Sequence, residues 1–430
     1  MQDKSFVPFT EDMKKDYTIL VPNMLPMHFK MLLKIFETHG YHFELLETEG
    51  PKIAETGLKY THNDTCYPAI LVIGQFMDAL LSGKYDLDKT ALIMFQTGGG
   101  CRASNYISLI RKALKKANMA HIPVISLSFA GLEKHPGFQL NLKLVHSVVY
   151  AILYGDLLMT LVNQTRPYEV NKGEAEALAE RWTNQLGRDL ATEKIRYSKI
   201  KENYKQIISD FAKIPVVKTQ KPKVGIVGEI FVKYSPLGNN NLERFLIKEG
   251  AEPVVPGLLD FCLYSVYNSI VDYKVYGRGK KTYPVYRWVY KYLCKKKQDI
   301  IDLIREDSTF EACTPFEDIT HLADRVINVA VKMGEGWLLT AEMIELAHSG
   351  CKNIVCTQPF GCLPNHICGK GMMKPIKELM PDVNIVAIDY DAGASRVNQE
   401  NRLKLMLANA RRIADNTASV SEKLKETVTV

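Results

Sequence analysis

Ala91-Leu-Ile-Met-Phe-Gln-Thr-Gly-Gly-Gly-Cys101-Arg-Ala-Ser-Asn105 runs from an apolar stretch, through three glycines, to a cysteine and the start of a helix-periodic segment. The apolar run reads as a strand and Asn105 to Ala117 as a helix, so the loop between them is a strand-to-helix turn. The same rhythm continues on both sides. Thr18-Ile-Leu-Val-Pro22 reads as a strand, Met27 to His39 as a helix and His42-Phe-Glu-Leu-Leu-Glu47 as a strand. Pro68 to Ser82 reads as a helix and Pro123-Val-Ile-Ser-Leu127 as a further strand. Strands alternating with helices predict a mostly parallel sheet covered by helices. Ligands of such sheets collect at the carboxyl ends of the strands. Cys101 is expected there, and the loop before Pro68 is expected to bring Cys66 to a similar place.

A second α/β rhythm begins at Val224-Gly-Ile-Val-Gly-Glu-Ile-Phe231. A helix follows from about Asn239, and Glu252-Pro-Val-Val-Pro256 reads as a strand or edge segment. Thr340 to Ser349 reads as a helix, Asn353 to Cys356 as a strand and Lys370 to Leu379 as a helix. Asn384 to Asp389 is the last expected strand and Asn398 to Ala414 the last helix, with a frayed tail after Asn416. Between the two halves, Lys172 to Lys213 is charged and helix-periodic, and Ile214 to Lys223 carries two prolines and three lysines. The expectation is an α/β fold of two parallel-sheet domains, residues 1–170 and 223–430, joined by a helical connector and linker over 171–222.

The chain has 430 residues, 46% of them hydrophobic, which is enough for a large core. A formal charge of +7 fits an anionic small ligand or an acidic partner and does not by itself call for nucleic acid. The opening MQDKSFVPFTEDMKKDY carries no secretory pattern, so a cytoplasmic protein is expected. The most apolar window, Asn141 to Asn163, contains Lys143, His146 and Asp156 and reads as a buried core helix instead of a membrane span. In a reducing compartment, nine cysteines are metal ligands, redox groups or buried thiols before they are disulfides.

Three cysteine-bearing loops stand out. Cys66 lies in His62-Asn-Asp-Thr-Cys66-Tyr-Pro-Ala69, read as the end of a strand-like run and the start of the next helix. Cys101 follows Gly98, Gly99 and Gly100, which let the backbone approach a bulky anionic object. At a helix start, the dipole and free N–H groups favour thiolate. Cys356 and Cys362 flank Thr-Gln-Pro-Phe-Gly, followed by Leu-Pro-Asn-His366. The Pro359 to Pro364 loop favours Cys362 as an exposed thiol, whereas Cys356 reads equally well as core. Cys351 and Cys368 are weaker candidates, and Cys262, Cys294 and Cys313 lack a shaped loop. Soft thiolates on three distant loops suggest one soft metal centre assembled by folding, and an iron–sulfur cluster accepts such dispersed ligands. Arg102, Ser104, Gln96 and Asn105 either hold a substrate carbonyl or phosphate or cap the helix. His366 is either an acid–base group or ligand near the cluster, or a structural histidine.

NDTCYPAILVIGQ (63–75), QTGGGCRASNY (96–106), CTQPFGCLPNHICGKG (356–371) and VAIDYDAGASRVNQENRLKLML (386–407) resemble the iron–sulfur proteins of the 2-hydroxyacyl-CoA dehydratase superfamily. The closer likeness is to the dehydratase-like regions found with acyl-CoA dehydratase activases. The resemblance implies two Rossmann-like domains with a [4Fe–4S] or double-cubane cluster between them. It also implies a separate ATP-dependent activase that injects one low-potential electron, and an acyl-CoA-type substrate that forms a ketyl radical. A homodimer or a second dehydratase-like subunit is a further expected partner. Carried onto this chain, Cys66, Cys101 and Cys362 become ligands, with Cys356 as a possible fourth. Three protein ligands would leave one iron open.

Two rival readings accompany this one. Asp391-Ala-Gly-Ala-Ser395 faintly resembles a phosphate loop of the actin and sugar-kinase ATPases, yet no GxxxxGK[ST] run is present. The alternative is a cluster-bearing electron-transfer or scaffold subunit without catalysis of its own. Tyr273 to Lys297, rich in Tyr, Lys and Arg, reads either as a solvated amphipathic helix with buried rings or as a dock for an acidic partner or for the phosphates of coenzyme A.

Overall fold

The computed structural model describes residues 6–95, 100–127, 133–192, 194–307 and 309–428, with side chains as far as residue 413. Two four-stranded, all-parallel sheets form the frame. The first contains β1 (Thr18–Pro22), β2 (His42–Leu46), β3 (Thr90–Phe95) and β4 (Val124–Leu127) in the order β2-β1-β3-β4. The second contains β5 (Lys223–Gly228), β6 (Glu252–Val254), β7 (Asn353–Pro359) and β8 (Asn384–Tyr390) in the order β6-β5-β7-β8. The α/β architecture with two parallel sheets is therefore present.

Both sheets share one winding: the second strand lies on one side of the first, the third on the other. The order thus reverses between the first and third strands, and a crevice opens at their carboxyl ends. Cys101 follows β3 and Cys362 follows β7, the third strand of each sheet. This repeated topology is what puts two of the three thiol loops at equivalent places.

The halves are joined through packing as well as through the chain. One apolar cluster unites Leu20 and Leu92 of the first sheet with Val224, Ile226, Val355 and Ile388 of the second, along with Leu71, Phe76 and Leu80 of the Tyr67–Leu81 helix. Each such side chain contributes about 1.5–3 kcal/mol on burial. The connector comprises two helices, Glu174–Thr192 and Tyr197–Ala212. The Leu142–Thr165 helix passes the length and hydropathy test for a membrane span (18-residue window, mean hydropathy 1.6), and 61% of that window is buried inside the protein. Asp156 on this helix accepts from the Leu258 and Leu259 N–H groups, 2.8 Å each, and from His28 at 2.8 Å. It thereby caps the Leu258–Tyr276 helix with a half-buried carboxylate.

Several local expectations need correction. Cys66 does not end a strand-like run: the helix Pro51–Tyr60 intervenes between β2 and the Cys66 turn. Pro51 pre-sets the first turn after Gly50, and the apolar residues that follow keep helical spacing. Tyr273 to Lys297 is not one helix but a hairpin of Leu258–Tyr276 and Tyr283–Asp307, broken where Gly277 and Gly279 take left-handed φ. The last helix starts at Arg396 and its backbone stays helical to Val428, past the expected fraying point, in a stretch with no glycine or proline.

Candidate metal centre

Cys66, Cys101 and Cys362 each occupy the residue that opens a helical turn. Cys66 precedes the Tyr67–Leu81 helix, Cys101 precedes a single 3-10 turn (Arg102–Asn105), and Cys362 precedes Leu363–Cys368. Their loops touch. The Tyr67 N–H donates to the Phe360 carbonyl at 3.1 Å, tying the Cys66 helix start to the Cys362 loop. Gly361 has φ +75°, and a Cβ there would stand 3.2 Å from the Cys66 Cα. Only glycine suits both the left-handed backbone and the close approach. The Gly100 N–H meets the Met333 sulfur at 3.1 Å, which brings the Cys101 loop against the segment leading into Glu335.

The thiols lie within electrostatic reach of one another. Charge on Cys66 disfavours charge on Cys101, and Cys101 acts likewise on Cys362. The structure thus brings three of the sequence-derived candidates together. Cys356 is placed elsewhere: it sits in the middle of β7, opposite Val227 and Ala387, with its sulfur packed near Gly369 and Leu339. The leading charges around it are Asp389, Glu342, Lys370 and Glu335, none a thiol.

Two buried carboxylates lie beside the thiol loops. Glu229 follows β5, and its side chain accepts from the Val232 N–H at 2.8 Å. Glu335 accepts from the Ile230 N–H at 3.0 Å and from the Asn365 amide at 2.8 Å, one on each oxygen. The same Asn365 Nδ2 reaches the Cys362 sulfur at 3.4 Å, and Asn365 Oδ1 is buried without a partner among the described residues. Burial, reinforced by Glu335, pushes Glu229 up to about 8. Glu335 is raised too, chiefly by burial. Burial and mutual repulsion thus disfavour a second charge on this pair of acids.

The thiol electrostatics depart from the expectation that helix starts favour thiolate. Burial pushes Cys101 up to about 12, with Glu335 and Glu229 adding to the shift, and raises Cys362 and Cys66 as well. The backbone N–H groups of Ala69, Ala103 and Asn365 pull the other way, but none closes to a capping hydrogen bond on its thiol. In the metal-free protein, desolvation and two neighbouring acids outweigh the helix ends. A bound cation reverses that balance by deprotonating the thiols it coordinates. The Cys66 sulfur also lies 3.5 Å from the Tyr106 hydroxyl, which is fully buried at the start of the next helix.

The remaining candidates fall as follows. Ser104 donates its hydroxyl to the Cys101 carbonyl at 2.7 Å, within its own turn. Arg102 is exposed and favours charge on Cys66. His366 is exposed, and its backbone N–H closes the turn on the Cys362 carbonyl at 3.1 Å. Gly98, Gly99 and Gln96 lie outside the described residues. Glu229, Glu335, Asn365 and Tyr106 were not anticipated. Glu229 had a signal, because it follows an apolar strand just as Cys101 does. Glu335 had none, because a long connection brings it in.

Among the described residues, no three His, Cys, Asp or Glu side chains stand close enough to grip one metal ion. A single ion needs donors about 2.3 Å from it, and hence roughly 4 Å from one another. A polynuclear cluster puts each thiolate on a different iron and takes a wider set. Comparison with protein-family models and with the curated proteins gives no match.

Proposed function

We propose that this chain is an iron–sulfur protein of the 2-hydroxyacyl-CoA dehydratase type, in which Cys66, Cys101 and Cys362 hold one [4Fe–4S]-like cluster. The observation that carries the reading is the contact between the thiol-bearing loops, with the Tyr67 N–H on the Phe360 carbonyl and Gly361 against Cys66, together with the mutual electrostatic influence of Cys66, Cys101 and Cys362. When bound, such a cluster supplies one electron at low potential and, with three protein ligands, an open iron able to polarise a thioester carbonyl.

The chain's own groups then have defined tasks. Asn365 donates to the Cys362 sulfur and so withdraws charge from it, while Glu335 fixes the amide that does so. Glu229 and Glu335, both raised by burial, form a buried acid pair able to hold a proton beside the thiol loops. The Gly100 N–H on the Met333 sulfur and the Tyr67 N–H on the Phe360 carbonyl tie the loops that carry the sulfurs. A reducing, cytoplasmic setting suits free thiols and an oxygen-sensitive group. The electron source in this reading is an ATP-dependent activase, and the substrate an acyl-CoA or similar thioester.

Anaerobic protein reduced with dithionite is expected to give a low-temperature EPR signal that is lost in C66S, C101S and C362S and retained in C356S. Loss in C356S alone would overturn the ligand assignment. Adding an activase, ATP and a panel of 2-hydroxyacyl-CoA esters separates dehydration from electron carriage. Product formation supports the former, and cluster oxidation without product the latter.

A further inference from the structure

From Tyr273 to Gln298 the chain carries no carboxylate and nine lysines or arginines. Lys296 and Lys297 are buried, whereas Lys274, Arg278, Lys280, Lys281, Arg287, Lys291 and Lys295 are exposed. These seven exposed charges equal the net charge of the whole chain, +7, so the rest of the molecule is balanced. Lys274, Arg278, Lys280, Lys281 and Arg287 cluster at the end of the hairpin formed by Leu258–Tyr276 and Tyr283–Asp307, where the Tyr273 and Tyr283 rings meet at 4.2 Å, and Lys291 and Lys295 extend the charge along the second helix. Large apolar side chains stand among them: Tyr276, Val285 and Trp288 are 54%, 61% and 67% exposed. Trp288 is held by stacking on Tyr292, with centroids 5.7 Å apart. Trp, Tyr and Arg are the residues that most often anchor protein interfaces.

The base of this hairpin is fastened to the thiol pocket. Asp272 pairs with Lys332, and Tyr264 donates to the Gly334 carbonyl at 2.9 Å. Asn268 accepts from the Trp337 indole at 3.1 Å. Lys332 and Gly334 flank Met333, whose sulfur meets Gly100, and Glu335 comes next. Tyr276 lies one turn beyond Asp272, about 6 Å along the helix. The basic tip is thus an extension of the rim of the pocket.

We propose that this tip docks an acidic, one-electron-carrying protein and orients it toward the thiol centre. The proposal rests on the cluster of the function reading above and adds to it a small acidic electron carrier as a partner besides the activase, with the surface that receives it. A protein is favoured over a membrane because rings and cations are interspersed. An in-plane membrane helix needs a separate apolar face, and the apolar face of Tyr283–Asp307 is buried against the protein core. Opposite charge speeds and orients such encounters, and it makes them sensitive to salt.

The test uses the full chain, its K280E/K281E/R287E variant and Trp288→Ala. The probes are a reduced acidic ferredoxin and a flavodoxin. Tryptophan emission of the chain, to which Trp182, Trp288 and Trp337 contribute, reports binding by the full chain and the charge variant, and stopped-flow absorbance reports electron transfer. The wild type should bind at least one probe and lose about tenfold or more in affinity between low and 0.3 M salt. The charge variant should lose about tenfold or more in both binding and protein-driven reduction, while dithionite reduces it at the wild-type rate. W288A should weaken protein-driven reduction without altering the salt dependence. Equal behaviour of the variants and wild type would overturn the proposal. So would binding of phosphatidylserine vesicles or a single-stranded oligonucleotide while both proteins are ignored. The emission titration needs no cluster on this chain, so failure to load iron would count against the function reading and leave the docking result standing.

Discussion

Replacing Lys233 by methionine strips the cation from an almost wholly buried pair. Lys233 Nζ lies 2.9 and 3.2 Å from the two Glu342 oxygens, and the two side chains are 4% and 3% exposed. Lys233 belongs to the short helix that Glu229 caps, so the pair also anchors the wall of the thiol pocket. Removing one partner leaves Glu342 charged and desolvated, at a cost of about 3–5 kcal/mol, or roughly two to three and a half decades in the unfolding constant. The cost must depend on pH. Burial already pushes Glu342 up to about 7 against an ordinary 4.5, with Lys233 opposing. Loss of Lys233 drives it higher. An acid with a raised folded pKa binds a proton that the unfolded chain releases, so stability falls as pH climbs from about 4.5 through the folded value. The penalty of K233M is therefore largest near pH 8 and shrinks toward pH 5. Urea unfolding of the metal-free chain, followed by emission of its tryptophans, of which Trp182 and Trp337 are buried, measures it at both pH values. The double variant K233M/E342L, which swaps the pair for apolar groups, should return to within about 1–2 kcal/mol of wild type. A penalty of equal size at both pH values, or a double variant as damaged as the single, would refute the reasoning.

Glu229→Gln should flatten the pH profile of metal-free stability between about 4.5 and 8, because a carboxyl raised to about 8 makes the wild type lose stability as pH rises through that window; thermal melts across it read the change. Gly361→Ala should cost about 1–2 kcal/mol through its left-handed backbone, and it should also lower iron content by pressing on Cys66, as urea unfolding and metal analysis would record. Asn365→Leu leaves Glu335 short of a donor in a buried site and should destabilise by about 1–3 kcal/mol, with a shift in the reduction midpoint of the loaded protein measured by redox titration. Cys356→Ser should keep its iron yet melt earlier, since it places a hydroxyl in the core of β7.

Strand positions were legible because apolar runs bounded by Gly, Pro and polar residues have few other structural outlets, and Ala91 to Phe95 or Asn384 to Asp389 illustrate this. Cys101 was legible for the same reason: a strand, three glycines and a helix leave it at a carboxyl end. Cys66 was placed in the right region for the wrong reason, because Pro51 to Tyr60 forms a helix whose spacing went unread. The hairpin of Leu258–Tyr276 and Tyr283–Asp307 was hidden by rings and cations at helical spacing on both sides of Gly277. Glu335 could not be foreseen. It reaches the thiols through a loop fixed by contacts distant in sequence, the Tyr264 hydroxyl on Gly334 and the Trp337 N–H on the Val331 carbonyl. Local patterns announce strands and turns, whereas side chains delivered by long connections become visible only once the chain has folded.

Iron and acid-labile sulfide in protein isolated without oxygen test the central claim most directly. Cys66, Cys101 and Cys362 acting together predict a brown protein with about four irons and four sulfides per chain, falling to background when all three become serine. Colourless, iron-free wild type that stays so after anaerobic reconstitution, or a triple variant that keeps the full complement, would contradict it.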